Sequence, residues 1–198
     1  FRSYPELLLS AQFWGYCFAS AFAAGTFFSF LGGGTFVGAV VYKLSPEVLG
    51  LYFAMPALGF LIGTLFAGKC SIFIGIDNMI IIGLGILVLG LSVSLSLSYL
   101  GFGTAETFFG LMALVGLGNG ICMPNATAGM LAVNLNLSGT ASGLGGSMMI
   151  AFGALLSIIA GFILTDDSTE VRLLIMMWVL SVFAIIAALV TKNAKKYY

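Results

Sequence analysis

The sequence has no histidine and very few charged residues, with 7 lysines and arginines and 7 aspartates and glutamates among 198 residues. Without histidine, the chain lacks the side chain that most often shuttles protons or binds metals near neutral pH. Its 3 cysteines, Cys17, Cys70 and Cys122, have no metal-site spacing, and we interpret them as small apolar fillers. We therefore expect no metal or other cofactor. The net charge of zero also gives no support to nucleic-acid binding.

A water-soluble fold is excluded, because only 7% of the residues are charged, whereas soluble domains carry about 25%. The charged residues leave five uncharged windows of 36, 21, 28, 59 and 19 residues, bounded by Glu6 and Lys43, Glu47 and Lys69, Asp77 and Glu106, Glu106 and Asp166, and Arg172 and Lys192. A transmembrane helix needs ~20 apolar residues, so the longest window holds two crossings. Its polar waist provides a turn, at Asn134, Asn136, Ser138 and Gly139.

We predict an all-α membrane protein, a single six-helix transmembrane bundle over residues 1–198, with spans at about 13–32, 49–67, 79–97, 108–133, 140–164 and 173–190. The glycines at 32–34 are expected to unwind or bend span one. Pro56 should kink span two, and Pro124 should interrupt span four. A short turn is expected from Lys69 to Asp77, with Gly75 inside it.

The distribution of charge predicts the orientation in the membrane. With six spans, the side of the two termini carries five cationic residues, Arg2, Lys69, Lys192, Lys195 and Lys196. The opposite side carries only Lys43 and Arg172, together with most of the acidic residues, Glu47, Glu106, Asp166, Asp167 and Glu170. Lysine and arginine prefer the cytoplasmic side, so we expect both termini to be cytoplasmic.

Six spans also divide into two groups of three. Spans one and four are the glycine-interrupted members of their groups. Such placement is typical of an inverted repeat whose substrate site lies where broken helices meet. The prediction is therefore a 3+3 inverted repeat in which spans one and four face a central opening.

Three segments of this sequence carry a resemblance to a known family. They are Gly116–Ala126, which contains Pro124-Asn125-Ala126, Ser138–Gly146, which contains Gly139-Thr-Ala141-Ser142-Gly143, and the loop Tyr42–Gly50 leading into Tyr52-Phe53-Ala54. Together they resemble the C-terminal six-helix half of the major facilitator superfamily, in particular its bicyclomycin and chloramphenicol resistance (Bcr/CflA) drug:proton antiporters. The resemblance covers essentially the whole chain, with spans one to six corresponding to transmembrane helices seven to twelve.

The resemblance implies multidrug efflux in a bacterial inner (plasma) membrane by half of a twelve-helix transporter. The chain departs from the family in the loop after span two, where several arginines are usual and only Lys69 and Gly75 remain. The embedded acid that couples protons would belong to the other half. No charged residue lies securely within a predicted span here, so this chain alone is not expected to couple protons.

Five residues are candidates for substrate binding: Phe27, Phe30, Asn119, Met123 and Asn125. The two amides lie in an apolar helix, and the phenylalanines and Met123 flank the expected helix breaks. The alternative is structural. The amides would then form interhelical hydrogen bonds, and the apolar side chains would contact lipid or the protein core.

Six residues are candidates for gating or helix packing: Gly32, Pro124, Gly139, Gly143, Gly153 and Gly161. The triplets Gly139-Gly143-Ser147 and Gly153-Ser157-Gly161 repeat every four residues, so each places small residues on one helix face. Such faces allow close helix packing, and a tight seam is also where helices slide during gating.

An enzyme is not expected. An intramembrane serine protease of the rhomboid kind needs a histidine base, and the one Ser–Lys candidate, Lys69 with Ser71, lies in a turn. The leading hypothesis is half of a secondary transporter that exports small apolar or amphipathic compounds by alternating access. Its partners would be the lipid bilayer, a small-molecule substrate and a second six-helix bundle, which is a missing N-terminal half, a separate subunit or a second copy. The alternative is a membrane assembly subunit that binds a partner without transport.

Overall fold

The computed structural model describes residues 4–165 and 169–194, so the expectations for Arg2, Asp166, Asp167, Lys195 and Lys196 lie outside the described residues. Within these ranges the chain forms helices and no strand. The α-helices are α1 (Tyr4–Leu9), α2 (Ala11–Phe36), α3 (Pro46–Ile74), α4 (Ile76–Tyr99), α5 (Ala105–Val133), α6 (Ser138–Ile163) and α7 (Glu170–Ala194). A π-helical segment, Val37–Val41, extends α2, and a 3-10 turn, Leu135–Leu137, precedes α6.

Helices α2 to α7 are long and apolar enough to cross a membrane, which confirms the six-helix membrane class. Most of them extend beyond the predicted spans at one or both ends. Their outward side chains, such as Leu61 and Phe162, are large, apolar and exposed, as lipid-facing residues are. We call the end of the bundle where α2 begins and α7 ends the terminal end, and the other the opposite end.

The expected unwinding of span one at 32–34 and the expected interruption of span four at Pro124 are wrong. Helix α2 continues through the glycines at 32–34, and the backbone N–H of Val37 donates to the carbonyls of Gly33 and Gly34. Helix α5 is likewise continuous through Pro124. Glycine and proline are tolerated inside membrane helices because neighbouring helices and side chains satisfy the freed backbone groups.

The expected turn from Lys69 to Asp77 is also wrong, because α3 continues to Ile74 and α4 begins at Ile76. The connection is the single residue Gly75, whose φ of 87° and ψ of 148° are open to glycine but strained for other residues. By contrast, the predicted waist between spans four and five is a turn, in which the Asn134 side chain accepts a hydrogen bond from the backbone of Asn136.

Helices α2 and α5 form the centre of the bundle. Helix α2 packs against α5, α6 and α7, helix α5 packs against α2, α3 and α4, and α4 packs against α7. This set of main contacts is reproduced when α2 is exchanged with α5, α3 with α6 and α4 with α7. Since each group has three spans, the two groups start from opposite sides of the membrane, as in an inverted repeat.

Helices α3 and α6 are the least covered. In each of their spans 17% of the most apolar stretch is buried, against 50% in the α2 span and 56% in α5. Helix α3 contacts mainly α5, and α6 contacts mainly α2. The faces of α3 and α6 that point away from these partners are therefore open.

Glycines bring α5 into backbone contact with its neighbours. A Cβ at Gly59 or Gly63 of α3 would collide with carbonyl oxygens of α5, and a Cβ at Gly116 or Gly120 of α5 would collide with those of Pro56 and Phe60. Small residues at helix crossings allow this approach in lipid, where van der Waals packing replaces the hydrophobic effect.

Candidate functional site

An open groove of about 450 Å³ runs beside Pro124, between α3 and α5 in the terminal half of the bundle. Its lining residues are Thr64, Ala67, Gly68, Ser71, Ile72, Ile76, Pro124, Asn125 and Ala128. None of these is charged. The groove follows α3, one of the two helices with an open face.

Three polar side chains of the groove bond to their own helices. Thr64 Oγ1 donates to the carbonyl of Phe60 at 2.9 Å, and Ser71 Oγ donates to that of Ala67 at 2.6 Å. Asn125 Nδ2 donates to the carbonyl of Ile121 at 2.7 Å. A hydroxyl has one proton and two lone pairs, so Thr64 and Ser71 can offer a ligand acceptor oxygens. The wall is apolar, neutral and equipped with hydrogen-bond acceptors.

The predicted substrate residues do not all meet at this groove. Asn125 lines it next to Pro124, while Met123, the residue before Pro124, is half-buried and not among the lining residues. Phe30 lies in the core of the opposite half, where its ring contacts Phe53 at a centroid distance of 5.0 Å. Phe27 is half-buried on α2.

Asn119 is fully buried in the centre of the bundle, not in the groove. Its Nδ2 donates to the carbonyl of Val115 at 3.1 Å. Its Oδ1 is buried and has no hydrogen-bond partner among the residues the structure describes. Along α5 it lies between Val115, in the core cluster of the opposite half, and Cys122, in the core cluster of the terminal half.

The small residues predicted for packing divide into two groups. Gly32 and Gly153 lie at the α2–α6 contact, where added Cβ atoms would meet Ser157 and Phe28 respectively. Gly139, Gly143 and Gly161 have open space, with nothing within 4 Å of an added Cβ. Against the residues that the structure describes, therefore, these three glycines form no close helix contact, and their role in gating or packing stays a prediction.

Sequence reasoning missed the α3 side of the groove. Thr64, Gly68 and Ser71 are spaced by four and three residues, which places them on one helical face. The same spacing rule that selected glycines in α6 would have found them. Their small size leaves the groove open along α3.

A polar cluster lies beyond the terminal end of the groove. Tyr16 Oη donates to Asp77 Oδ1, and Lys192 Nζ donates to Asn78 Oδ1 at 2.8 Å. An adjacent pocket of about 440 Å³ shares Ser71 and Ile76 with the groove. These bonds join the start of α4 to α2 and α7. Nothing in the local sequence indicates them, because the partners are 61 and 114 residues apart.

In the part of the chain that the structure describes, no group of three or more histidine, cysteine, aspartate or glutamate residues could hold a metal ion. Cys17 and Cys122 are free and buried in the core, and Cys70 is free and half-buried.

Comparison with known proteins finds one distant similarity. The chain is 26% identical over 167 residues to a bicyclomycin resistance protein homolog of Haemophilus influenzae, which covers 84% of this chain and 42% of the relative. The chain thus spans about two fifths of the length of that relative. No family model matches the chain, and no solved structure matches it. The six spans and this similarity support a transporter-like role in a membrane.

Proposed function

We propose that this chain is half of a secondary active transporter, which exports small apolar or amphipathic compounds by alternating access together with a second six-helix bundle. The observation that supports this proposal is the groove beside Pro124, which lies along the open helix α3. Transporters of this architecture bind substrate between two bundles that rock against each other. The open faces of α3 and α6 are where the second bundle would pack.

The chemistry of the groove indicates the substrate class. Ligand sites are commonly about 300–1,000 Å³ and mostly apolar, with a few placed polar groups. The groove has a lining of this mostly apolar kind. Its acceptor oxygens suit compounds that carry hydroxyl, amide or amine donors. The resistance to bicyclomycin that names the relative belongs to the same class of function.

Proton coupling is not assigned to this groove, because none of the described residues that line it is an aspartate, glutamate, lysine or arginine. In a heteromeric or full-length transporter, the second bundle would supply the embedded acid. In a homodimer of this chain, facilitated diffusion would replace proton-coupled export.

Dye flux in reconstituted vesicles tests the proposal. The chain is purified with any second bundle that accompanies it, the mass of the particle is measured, and flux is recorded with and without a pH gradient. We expect Asn125→Leu to lower flux on the order of tenfold, as for a substrate contact of about 1.4 kcal/mol, at equal incorporation. The control Asn136→Leu makes the same chemical change in the exposed turn before α6 and should leave flux unchanged.

Equal loss of flux in both variants, or no effect of Asn125→Leu, would contradict the role of the groove. Flux that does not depend on the pH gradient would agree with transport by this chain but exclude obligate proton coupling.

The alternative, an assembly subunit without transport, is favoured by the long apolar face of α3, where Leu51, Leu58 and Leu65 are exposed. It predicts a particle with a second polypeptide and no flux above empty vesicles. In that case Leu58→Arg should release the second polypeptide, while Asn125→Leu should not.

A further inference from the structure

An open cleft of about 460 Å³ lies between α6 and α7 in the opposite half of the bundle. We call it the α6–α7 cleft. These two helices hardly touch each other, because each packs mainly against α2. The residues of each wall are three or four positions apart and so share one helical face. They include Leu156, Ile159 and Ile163 on α6 and Arg172, Ile175 and Val179 on α7.

Helix α2 forms the floor of the cleft. An added Cβ at Gly25 would meet the side chain of Leu156, and one at Gly33 would meet those of Leu164 and Leu173. These glycines let α6 and α7 each approach α2 closely, while a gap remains between α6 and α7 themselves. The isoleucines of both walls are exposed, so the cleft opens outward, away from α2.

Three aromatic rings close the cleft near the middle of the membrane. The ring centroid of Phe22 on α2 lies 5.2 Å from that of Phe152 on α6 and 5.6 Å from that of Phe183 on α7. Phe22 thus bridges the two helices one turn beyond the cleft. Phe183 follows Arg172 by 11 residues, which is about 16 Å along a helix, and half of a hydrocarbon core is about 15 Å. The cleft therefore has the depth of one leaflet.

Arg172 lies at the mouth of the cleft, at the surface of the membrane. It belongs to the first turn of α7, and its Nη1 donates to the carbonyl of Ile163 at 3.4 Å and to Thr165 Oγ1 at 3.3 Å. The side chain therefore reaches from α7 to the end of α6 across the mouth. Arg172 is exposed, and every other described residue that lines the cleft is apolar. A guanidinium binds phosphate oxygens through paired N–H donors.

The acidic residue next to Arg172 on α7 faces another side of the helix. Glu170 lies two residues before Arg172, which is about 200° around an α-helix. Its Oε1 lies against Gly103, in the connection between α4 and α5, where an added Cβ would collide with it. Glu170 therefore stays outside the cleft. An apolar trough one leaflet deep, with a guanidinium at the membrane surface, matches an acyl chain below a phosphate.

We propose that the α6–α7 cleft binds one phospholipid with an anionic headgroup. Its phosphate is held by Arg172, and one acyl chain lies between the walls and ends at the Phe22 bridge. The bound chain supplies the contact that α6 and α7 do not make with each other. A zwitterionic phospholipid binds less well, because its own ammonium group competes with Arg172 for the phosphate. This proposal concerns lipid binding and does not depend on transport through the groove.

Native mass spectrometry of the whole chain tests the proposal. The chain is reconstituted with equal amounts of dioleoylphosphatidylglycerol and dioleoylphosphatidylethanolamine, extracted in a maltoside detergent, and the lipids that stay bound are identified. We expect retention of one phosphatidylglycerol in preference to phosphatidylethanolamine. Arg172→Gln should lower this preference about fivefold, as loss of one cation near an anionic headgroup does. Lys43→Gln is the matched control, because Lys43 is an exposed cation at the same end that does not line the cleft, and it should leave the preference unchanged.

A second pair of variants tests the place of the acyl chain. Val179→Trp fills the cleft and should remove both lipids from the spectra. Ile186→Trp makes a similar change two helical turns further along α7, beyond the Phe22 bridge, and should retain phosphatidylglycerol. Val179 and Ile186 are both exposed, so both variants should keep the fold, which circular dichroism checks.

Three results would overturn the proposal: equal retention of the two lipids, an unchanged preference in a folded Arg172→Gln variant, or equal effects of the two tryptophan variants. A lipid-free particle of two chains that Val179→Trp separates would also overturn it, because the cleft would then belong to a contact with a second copy. If Arg172→Gln does not fold, the tryptophan pair decides.

Discussion

At the scale of single residues, the buried polar side chains mostly bond to the backbone of their own helices. Thr26 donates to the carbonyl of Phe22, Ser29 to that of Gly25 and Thr191 to that of Ala187. Such bonds satisfy a hydroxyl inside an apolar helix without a partner from another helix. The Oδ1 atom of Asn119 does not follow this pattern, since it is buried and unpaired within the described ranges, as is the hydroxyl of Tyr42.

Replacing Asn119 therefore gives the first stability prediction. Asn119→Leu keeps a side chain of similar size and removes an unsatisfied acceptor, whose burial costs about 1–3 kcal/mol. We expect a higher midpoint of thermal unfolding in detergent. Unfolding is monitored through the reaction of the Cys17 and Cys122 thiols with a maleimide dye. Asn119→Asp should lower the midpoint, because it buries a charge. A lower midpoint for Asn119→Leu would mean that Oδ1 has a partner in the folded protein.

Sequence reasoning selected both asparagines but not their different surroundings. Asn119 and Asn125 are six residues apart, which separates them by about 120° around an α-helix. Both amides are buried, and this rotation places only that of Asn125 beside the groove. The spacing contains this information, yet the direction of the groove depends on which face α3 covers, and that is a tertiary contact.

At the scale of elements, the contact between α3 and α5 depends on glycine. Gly120 of α5 faces the carbonyl of Phe60, with no space for a Cβ, whereas Gly110 on the same helix has nothing within 4 Å of an added Cβ. We expect Gly120→Ala to lower the free energy of unfolding by an amount typical of overpacking, about 1–3 kcal/mol, which is measured as a lower midpoint of thermal unfolding. Gly110→Ala is the matched control and should be neutral or stabilising, since alanine favours the helix by up to about 1 kcal/mol. Equal effects would exclude the close contact.

The six spans could be predicted because charges are expensive in lipid, so the uncharged windows mark the crossings. The continuity of the helices at 32–34 and at Pro124, and the length of the turn after span two, could not. Gly33 and Gly34 remain helical because Val37 bonds to their carbonyls, and the turn after Lys69 shrank to Gly75 because α3 extends one and a half turns past that lysine. The tendency of glycine and proline to interrupt a helix therefore predicts little in a membrane, where backbone groups have no water to bond.

At the scale of the whole molecule, the charge distribution predicts the orientation in the membrane. Variants with a single exposed cysteine check it, with Cys70 changed to serine and the buried Cys17 and Cys122 retained. Lys43→Cys should react with a membrane-impermeant maleimide from outside the cell, and Lys69→Cys only after the membrane is opened. The reverse pattern would place both termini outside. The uncovered faces of α3 and α6 could not be anticipated, because a single sequence does not show what packs on them.

The one-residue link at Gly75 has a mechanical consequence for any rocking movement. Neighbouring Cα atoms are about 3.8 Å apart, so the facing tips of α3 and α4 cannot separate by more than two such steps. The bonds of Asp77 and Asn78 to Tyr16 and Lys192 anchor that same tip to two further helices. Helix α3 is thus held in place at its C-terminal end. In any rocking movement this end would stay with α4, α2 and α7, whereas four residues, 42–45, connect the N-terminal end of α3 to the π-helical segment.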